Sequence, residues 1–331
     1  MLELTERPLI TFALFAYKQQ QSVAEAVRGA LHQDYGPLEI ILSDDCSPDW
    51  TFDIMAEEAT RYSGQHRVVL NRNRRNLGLV QHVNRVMELA KGELIVPAAG
   101  ADYSLPDRCS RTYELWTRYN RRPDYISLGL VLHKLGSTSG TPKAPRLCTD
   151  IPNAILKADC GAVGASSAWH RRLFEVFGPL PEYLYEEDVV LPSRALFLSG
   201  VAHGEATVVI KQGDICNSMS AENEIYSRSQ EAQLLHEEWL KRRIAALRAF
   251  EEAVNKAMQL HLIGHDDGTR YLKMIRKSIW IRALDLDLMH PRLNRHVRSA
   301  VLLWFFDSSH LLMAPQAILA VDSPFPSFAK T

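Results

Sequence analysis

Leu38-Glu39-Ile40-Ile41-Leu42-Ser43-Asp44-Asp45-Cys46-Ser47-Pro48-Asp49-Trp50-Thr51 is the stretch that decides the fold. Ile40, Ile41 and Leu42 form an unbroken apolar run, the pattern of a parallel strand covered on both faces. Asp44 and Asp45 follow where a strand of an open α/β sheet delivers its residues to a ligand crevice. Ser47-Pro48-Asp49 then signals a turn and a helix start. Carboxylates at such a strand end suit a polar ligand that presents N–H or O–H donors, such as a nucleoside.

Strands and helices alternate on both sides of this stretch. Strands are expected at Leu9–Phe15, Leu38–Ser43, Val68–Leu70 and Glu93–Val96. Helices are expected at Val23–His32, Thr51–Arg61 and Val80–Ala90, with Pro106-Asp107-Arg108 opening another. Helices of roughly 10–15 residues between short strands predict an α/β domain, a mostly parallel sheet with helices on both faces. Further on, short helices are expected at Arg171–Phe177 and Glu186–Leu198, and long helical stretches at Ala221–Met258 and Tyr271–Leu288. A third apolar region covers Asn294–Leu319. The change of pattern places a domain boundary near residue 220, with an α/β part over 1–220 and a helical part over 221–331.

With 331 residues and 46% hydrophobic content, the chain can bury a sizeable core. Its formal net charge of −1 gives no bulk electrostatic case for nucleic-acid binding. The five cysteines Cys46, Cys109, Cys148, Cys160 and Cys216 are dispersed, which argues for free thiols and against a zinc or disulfide framework. Met1–Pro8 lacks the basic start and apolar run of a signal peptide, and no run reaches the ~18–20 apolar residues of a membrane span. A cytoplasmic location is expected.

Four blocks of sequence, in order, resemble the GT-A-fold glycosyltransferases of family 2, which use nucleotide-activated sugars. They are Leu14-Phe15-Ala16-Tyr17-Lys18; Asp44-Asp45-Cys46-Ser47-Pro48-Asp49-Trp50-Thr51; Asn76-Leu77-Gly78-Leu79 with Asn84 and Ala90-Lys91-Gly92-Glu93; and Glu187-Asp188-Val189-Val190-Leu191 with Arg194 and Gly200. The resemblance covers residues 1–220 and rests on the joint order of the blocks. It implies inverting transfer of a sugar from a nucleotide-diphosphate donor, a UDP-sugar first among them, to a hydroxyl on a glycan or lipid-linked glycan, as in cell-surface polysaccharide synthesis.

The resemblance also assigns roles. Ala16, Tyr17, Asp44, Asp45, Gly78 and Gly100 are expected around the nucleotide, with Arg75 facing its diphosphate. Asp188 is the expected general base, kept ionised by the start of a helix at residue 187, and Glu187 the residue that orients the acceptor. Gly161, Ala162, Gly164 and Ala165 are small enough to line the acceptor side or simply to pack tightly. Mg²⁺ or Mn²⁺ is the implied cofactor, yet two positions depart from the family pattern. Ala101 stands where the metal-binding aspartate is usual, and Gln212-Gly213-Asp214 stands where a histidine is usual. A methyl group cannot ligate a hard cation, so Asp102 and Asp214 are the remaining oxygen ligands. A non-catalytic nucleotide-sugar binder is the competing expectation. A nucleotidyltransferase is the third, although Ala16–Ser22 lacks the glycine-rich loop it usually carries.

The C-terminal region carries Trp280, Ile281, Leu284, Leu288 and Val301–Phe306 among Lys273, Arg276, Lys277, Arg282, Arg292, Arg295 and Arg298. Such a mixture fits either helical packing and homo-oligomer contact or a peripheral helix at the inner membrane surface.

Overall fold

In a computed structural model of the chain, residues 6–132, 138, 139, 144–211 and 230–289 are described. Two compact units divide the chain, Met1–Ala283 and Leu284–Thr331. The boundary expected near residue 220, Asp214 and the apolar region over 294–319 lie outside the described residues.

Among the described residues ten strands form one sheet. They are β1 (Ile10–Ala16), β2 (Leu38–Asp44), β3 (Arg67–Arg72), β4 (Leu94–Ala99), β5 (Asp102–Ser104), β6 (Tyr125–Leu132), β7 (Thr138–Ser139), β8 (Arg146–Cys148), β9 (Ser167–His170) and β10 (Val201–Lys211). The order is β3-β2-β1-β4-β9-β6-β10-β5, with β7 on β6 and β8 on β10. The expected parallel arrangement covers β3-β2-β1-β4. Beyond β4 the sheet is mixed: β9 runs antiparallel to both β4 and β6, β10 parallel to β6, and β5 antiparallel to β10.

The helices are α1 (Val23–Leu31), α2 (Thr51–Arg61), α3 (Leu79–Leu89), α4 (Arg108–Arg118), α5 (Ile151–Lys157), α6 (Arg172–Phe177), α7 (Val190–Ala195), α8 (Gln230–Gln259) and α9 (His265–Met289). Alternation along the central strands feeds two cores. Phe12, Leu14, Ile40 and Leu42 join Val27, Met55 and Trp116 on one face. Ala13, Ile41 and Ile95 join Val83, Val86, Trp169, Leu247 and Phe250 on the other. A strand with apolar residues on both faces is the sequence signature of this layering.

Helix α8 packs on α7, with the Phe250 ring 5.6 Å from that of Phe197. Its Leu240, Leu247, Phe250, Val254 and Ala257 are buried, so its apolar face is covered within the first unit. Among the described residues no helix is long and apolar enough to cross a membrane.

Candidate active site

The register of the parallel strands sets the site. Ala16 pairs with Asp44 across β1 and β2, and Phe15 with Ala99 across β1 and β4. Three strand ends therefore finish side by side. The Asp45 N–H donates to Ala16 O at 2.9 Å and the Gly100 N–H to Phe15 O at 2.8 Å, which extends the ladder one step into the loops. Gly100 sits in close quarters: a Cβ there would displace the end of the Gln19 side chain and lie 3.0 Å from Ala16 Cβ.

Asp44 is fully buried at this edge. Its Oδ2 accepts the Ser47 N–H at 2.9 Å and lies 3.6 Å from Arg72 Nε. Its Oδ1 is buried without a hydrogen-bond partner among the described residues. A buried acceptor left unmade costs on the order of 1–3 kcal/mol, so a donor brought to this oxygen would recover that cost. Tyr17 is 39% exposed beside it, with Lys18 Nζ 5.1 Å from its ring centroid. The Lys18 N–H donates to Ser47 Oγ and the Gln19 N–H to Thr51 Oγ1, so the β1–α1 loop is fastened to the turn after β2.

Asp45 faces the other way. Its Oδ1 accepts from Asn73 Nδ2 at 2.8 Å and the Leu77 N–H at 2.9 Å, and its Oδ2 accepts the Gly78 N–H at 2.9 Å. Asp45 thus shapes the loop over residues 73–78, with both carboxylate oxygens engaged. Gly78 precedes α3 at φ +76°, in the left-handed region that glycine favours. Beneath the loop Ser43 Oγ lies 2.6 Å from His82 Nε2 and accepts from Asn71 Nδ2 at 2.9 Å. Burial lowers the His82 pKa despite the nearby Asp45 and Asp44 charges. Arg75 is exposed on the same loop.

The Asp188 side is reached through β9. Because β9 runs antiparallel to β4, the 3₁₀ turn Gly164–Ser166 that precedes it lies at the C-terminal end of β4. Asp188 abuts that turn: a Cβ on Gly164 would lie 2.8 Å from Asp188 Cβ and 2.9 Å from its Oδ2. The helix expected at Glu186–Leu198 is shorter, Val190–Ala195, and Asp188 sits in the turn before it. The Val190 and Leu191 N–H groups donate to Glu187 O. The expectation that a helix start holds Asp188 ionised is corrected: burial raises its pKa well above the ordinary aspartate value, and Glu187 and Glu186 add like charge. Burial also raises the Glu187 pKa. From α8, Arg242 Nη1 reaches Glu186 Oε2 at 3.4 Å and Arg243 Nη1 donates to Ala158 O at 3.1 Å. Glu252 Oε1 accepts the Tyr183 hydroxyl at 2.7 Å, which fastens the segment before Asp188 to that helix.

Asp102 opens β5 two residues after Gly100 and is buried. It faces Lys211 across the β5–β10 pair, with Lys211 Nζ 3.3 Å from its Oδ2. Arg108, wholly buried at the start of α4, spans the two sides. It donates to Ser104 Oγ, Pro97 O, Ala165 O and Ser167 O. Burial pulls its pKa down to about 10, which still leaves the guanidinium charged at neutral pH.

The described residues do not fit a divalent ion. Ala101 offers a methyl group, Asp102 is engaged by an ammonium, and no three His, Cys, Asp or Glu side chains gather as a ligand set among them. Asp44 ends β2 and Asp102 follows the end of β4, the two strands that flank β1, and Asp188 abuts the turn at the end of β4. Arg75 stands apart from these contacts. Sequence reasoning did not single out Arg72, Asn73, His82, Arg108 or Arg243. Their roles come from partners distant in the chain, and only the Asn71–Gly78 polar loop gave a local hint of two of them.

Residues 11–174 match the family described as Glycosyl transferase family 2. EpsE of Bacillus subtilis, which carries a glycosyltransferase name, is 32% identical over 104 residues, 31% of this chain and 37% of its own length. WcaA of Escherichia coli, named for glycosyl transfer in colanic acid biosynthesis, is 29% identical over 143 residues, 42% of this chain and 50% of its own length. The chain thus spans half or less of these curated relatives. Among solved structures, S. aureus TarS superposes with a TM-score of 0.53 at 15% identity over 84% of this chain and 53% of that one. Its 1–349 fragment in complex with UDP-GlcNAc superposes at 0.51 and 12% identity, over 86% and 93%. Sheet and sequence blocks agree: residues 11–174 belong to glycosyltransferase family 2, and the chain carries a GT-A fold.

Proposed function

We propose that this chain transfers a sugar from a nucleoside-diphosphate donor to an acceptor hydroxyl with inversion at the anomeric carbon. The observation that carries the proposal is Asp44 Oδ1, a buried carboxylate oxygen left without a partner at the edge where β1, β2 and β4 end. A nucleobase N–H supplies the missing donor, and the Tyr17 ring offers a face for stacking. UDP-sugars are favoured because the solved relative TarS 1–349 binds UDP-GlcNAc. The acceptor class proposed is a glycan or lipid-linked glycan, on the strength of the likeness to WcaA.

In the reaction the acceptor oxygen attacks the anomeric carbon from the face opposite the nucleotide. The bond to the β-phosphate oxygen breaks, and that oxygen leaves with the electron pair. Asp188 takes the hydroxyl proton. Its raised pKa suits the role, because a base is most effective when its pKa approaches the working pH. Gly164 lets the carboxylate lie against the turn at the β4 end.

The test is calorimetric titration with UDP, dTDP, GDP and ADP, followed by proton NMR of the transferred sugar. Binding of one nucleotide, weakened in Asp44→Asn, with an inverted anomeric signal is the expected result. No nucleotide binding, or a retained configuration, overturns the proposal. Ala101 favours a second reading, a nucleotide-sugar binder without transfer. Tight donor binding with no transfer and no donor hydrolysis, with or without Mn²⁺, would select it.

A further inference from the structure

We propose that the Lys211 ammonium, held by Asp102, supplies the positive charge that the departing nucleoside diphosphate needs, so that this chain binds its nucleotide without a divalent ion. The inference rests on the transferase reading above and concerns how its diphosphate is neutralised.

Three observations converge. First, position 101 carries a methyl group where the resemblance expects a carboxylate. Second, the carboxylate that remains, Asp102, is buried and lies 3.3 Å from Lys211 Nζ. An ammonium and a divalent cation compete for the same oxygen, and here the ammonium has it. Third, the pair is built into the fold. Lys211 is the last residue of β10, its Cα partner on β5 is Asp102, and its side chain is largely buried. A surface lysine that meets an aspartate by chance would not be fixed by strand register.

Position and charge both suit a diphosphate. Asp102 lies two residues from Gly100, whose N–H is bonded to the end of β1. The pair therefore stands close to the edge that carries Asp44. An ammonium has three N–H donors, and Asp102 needs one of them. The remaining donors have no partner among the described residues and can meet phosphate oxygens with charge-assisted bonds. The Asp102 charge also acts on the buried Arg108 guanidinium. Among the described residues the Asp102 carboxylate thus answers to two cations, Lys211 and Arg108. As the anomeric C–O bond breaks, negative charge grows on the β-phosphate oxygen, and a fixed cation nearby stabilises it. Asp102 then acts as a positioning residue for the lysine.

The experiment is calorimetry of the full chain with UDP (or whichever diphosphate binds in the titration above) and with the matching nucleoside. Each is measured in EDTA and in Mn²⁺. Wild type is expected to bind the diphosphate in EDTA within about twofold of its affinity in Mn²⁺. Lys211→Met is expected to weaken the diphosphate about 10- to 100-fold while leaving nucleoside affinity unchanged. Lys211→Arg, which keeps the charge, should recover most of the loss and guards against a folding defect in the methionine variant. The inference is overturned if EDTA abolishes diphosphate binding by wild type, or if Lys211→Met binds it like wild type. Absence of both nucleoside and diphosphate binding in every buffer overturns the transferase reading itself, a separate outcome.

Discussion

At the strand-end edge proposed for the nucleotide, the Asp45 carboxylate accepts three N–H groups and Asp44 keeps one oxygen open. In the turn before α7, Asp188 lies against Gly164 with two glutamates for neighbours. The first region is wired before any ligand arrives. The Asp45 charge is shared among the Asn73 amide and two backbone donors, and Asp44 Oδ1 is left for recognition. The second region holds a carboxylate that its surroundings disfavour in ionised form. The difference matches the two tasks: recognition gains from groups fixed in advance, whereas proton abstraction gains from a base held near its point of titration.

Removing the disfavoured acid is the hardest test of that contrast. Asp188→Asn should lower the transfer rate about 10²- to 10⁴-fold without changing nucleotide affinity. It should also raise the thermal midpoint at pH 7. The raised pKa makes wild-type stability full below the unfolded carboxylate value of about 3.9, and part of it is lost as pH rises through the folded value. Asparagine removes that loss, so the two proteins should converge near pH 4. Equal midpoints at pH 7 would break the contrast. In wild type, the transfer rate should climb with pH on an acidic limb that belongs to Asp188.

On the wired side the order of effects reverses, with stability before chemistry. Asp45→Ala removes the acceptor of the Leu77 N–H and the Asn73 amide, while the Gly78 N–H keeps Asn76 Oδ1, and should cost about 2–4 kcal/mol in denaturant unfolding. A loss below 1 kcal/mol would mean the loop does not depend on that carboxylate. Asp44→Asn should weaken nucleoside diphosphate binding about 10- to 100-fold by calorimetry, with little change in stability because one of its oxygens has no partner to lose. A smaller effect is expected from Gly164→Ala. The added methyl group meets Asp188 Cβ at 2.8 Å, so kcat should fall several-fold while the donor KM holds. A KM change alone would place Asp188 on the wrong side of the comparison. Arg75→Ala, on the exposed loop, should alter nucleotide affinity by no more than about twofold.

The central strands and their helices were legible because each is coded locally. Leu38–Asp44 and Thr51–Arg61 follow from an apolar run, a turn signal and helical spacing. The edge carboxylates were legible for the same reason, since strand register alone puts Asp44 beside Ala16. Orientation was not. Asp44 and Asp45 are neighbours in sequence, yet one keeps an open oxygen and the other is bound up with a loop about thirty residues away. The surroundings of Asp188 were not legible because the helix-start signal is local and burial is not. Arg108 and Lys211 escaped notice because their partners are set by the pairing of distant strands.

Arg108 has one consequence for how such a chain can vary. Its guanidinium clips together the tail of β4, Ser104 at the end of β5, and the bend that backs Asp188. One buried side chain thereby works as a spacer bar between two halves of a workbench. Surface loops around it are free to be rebuilt for new cargo while the gap between tool and vice keeps its width.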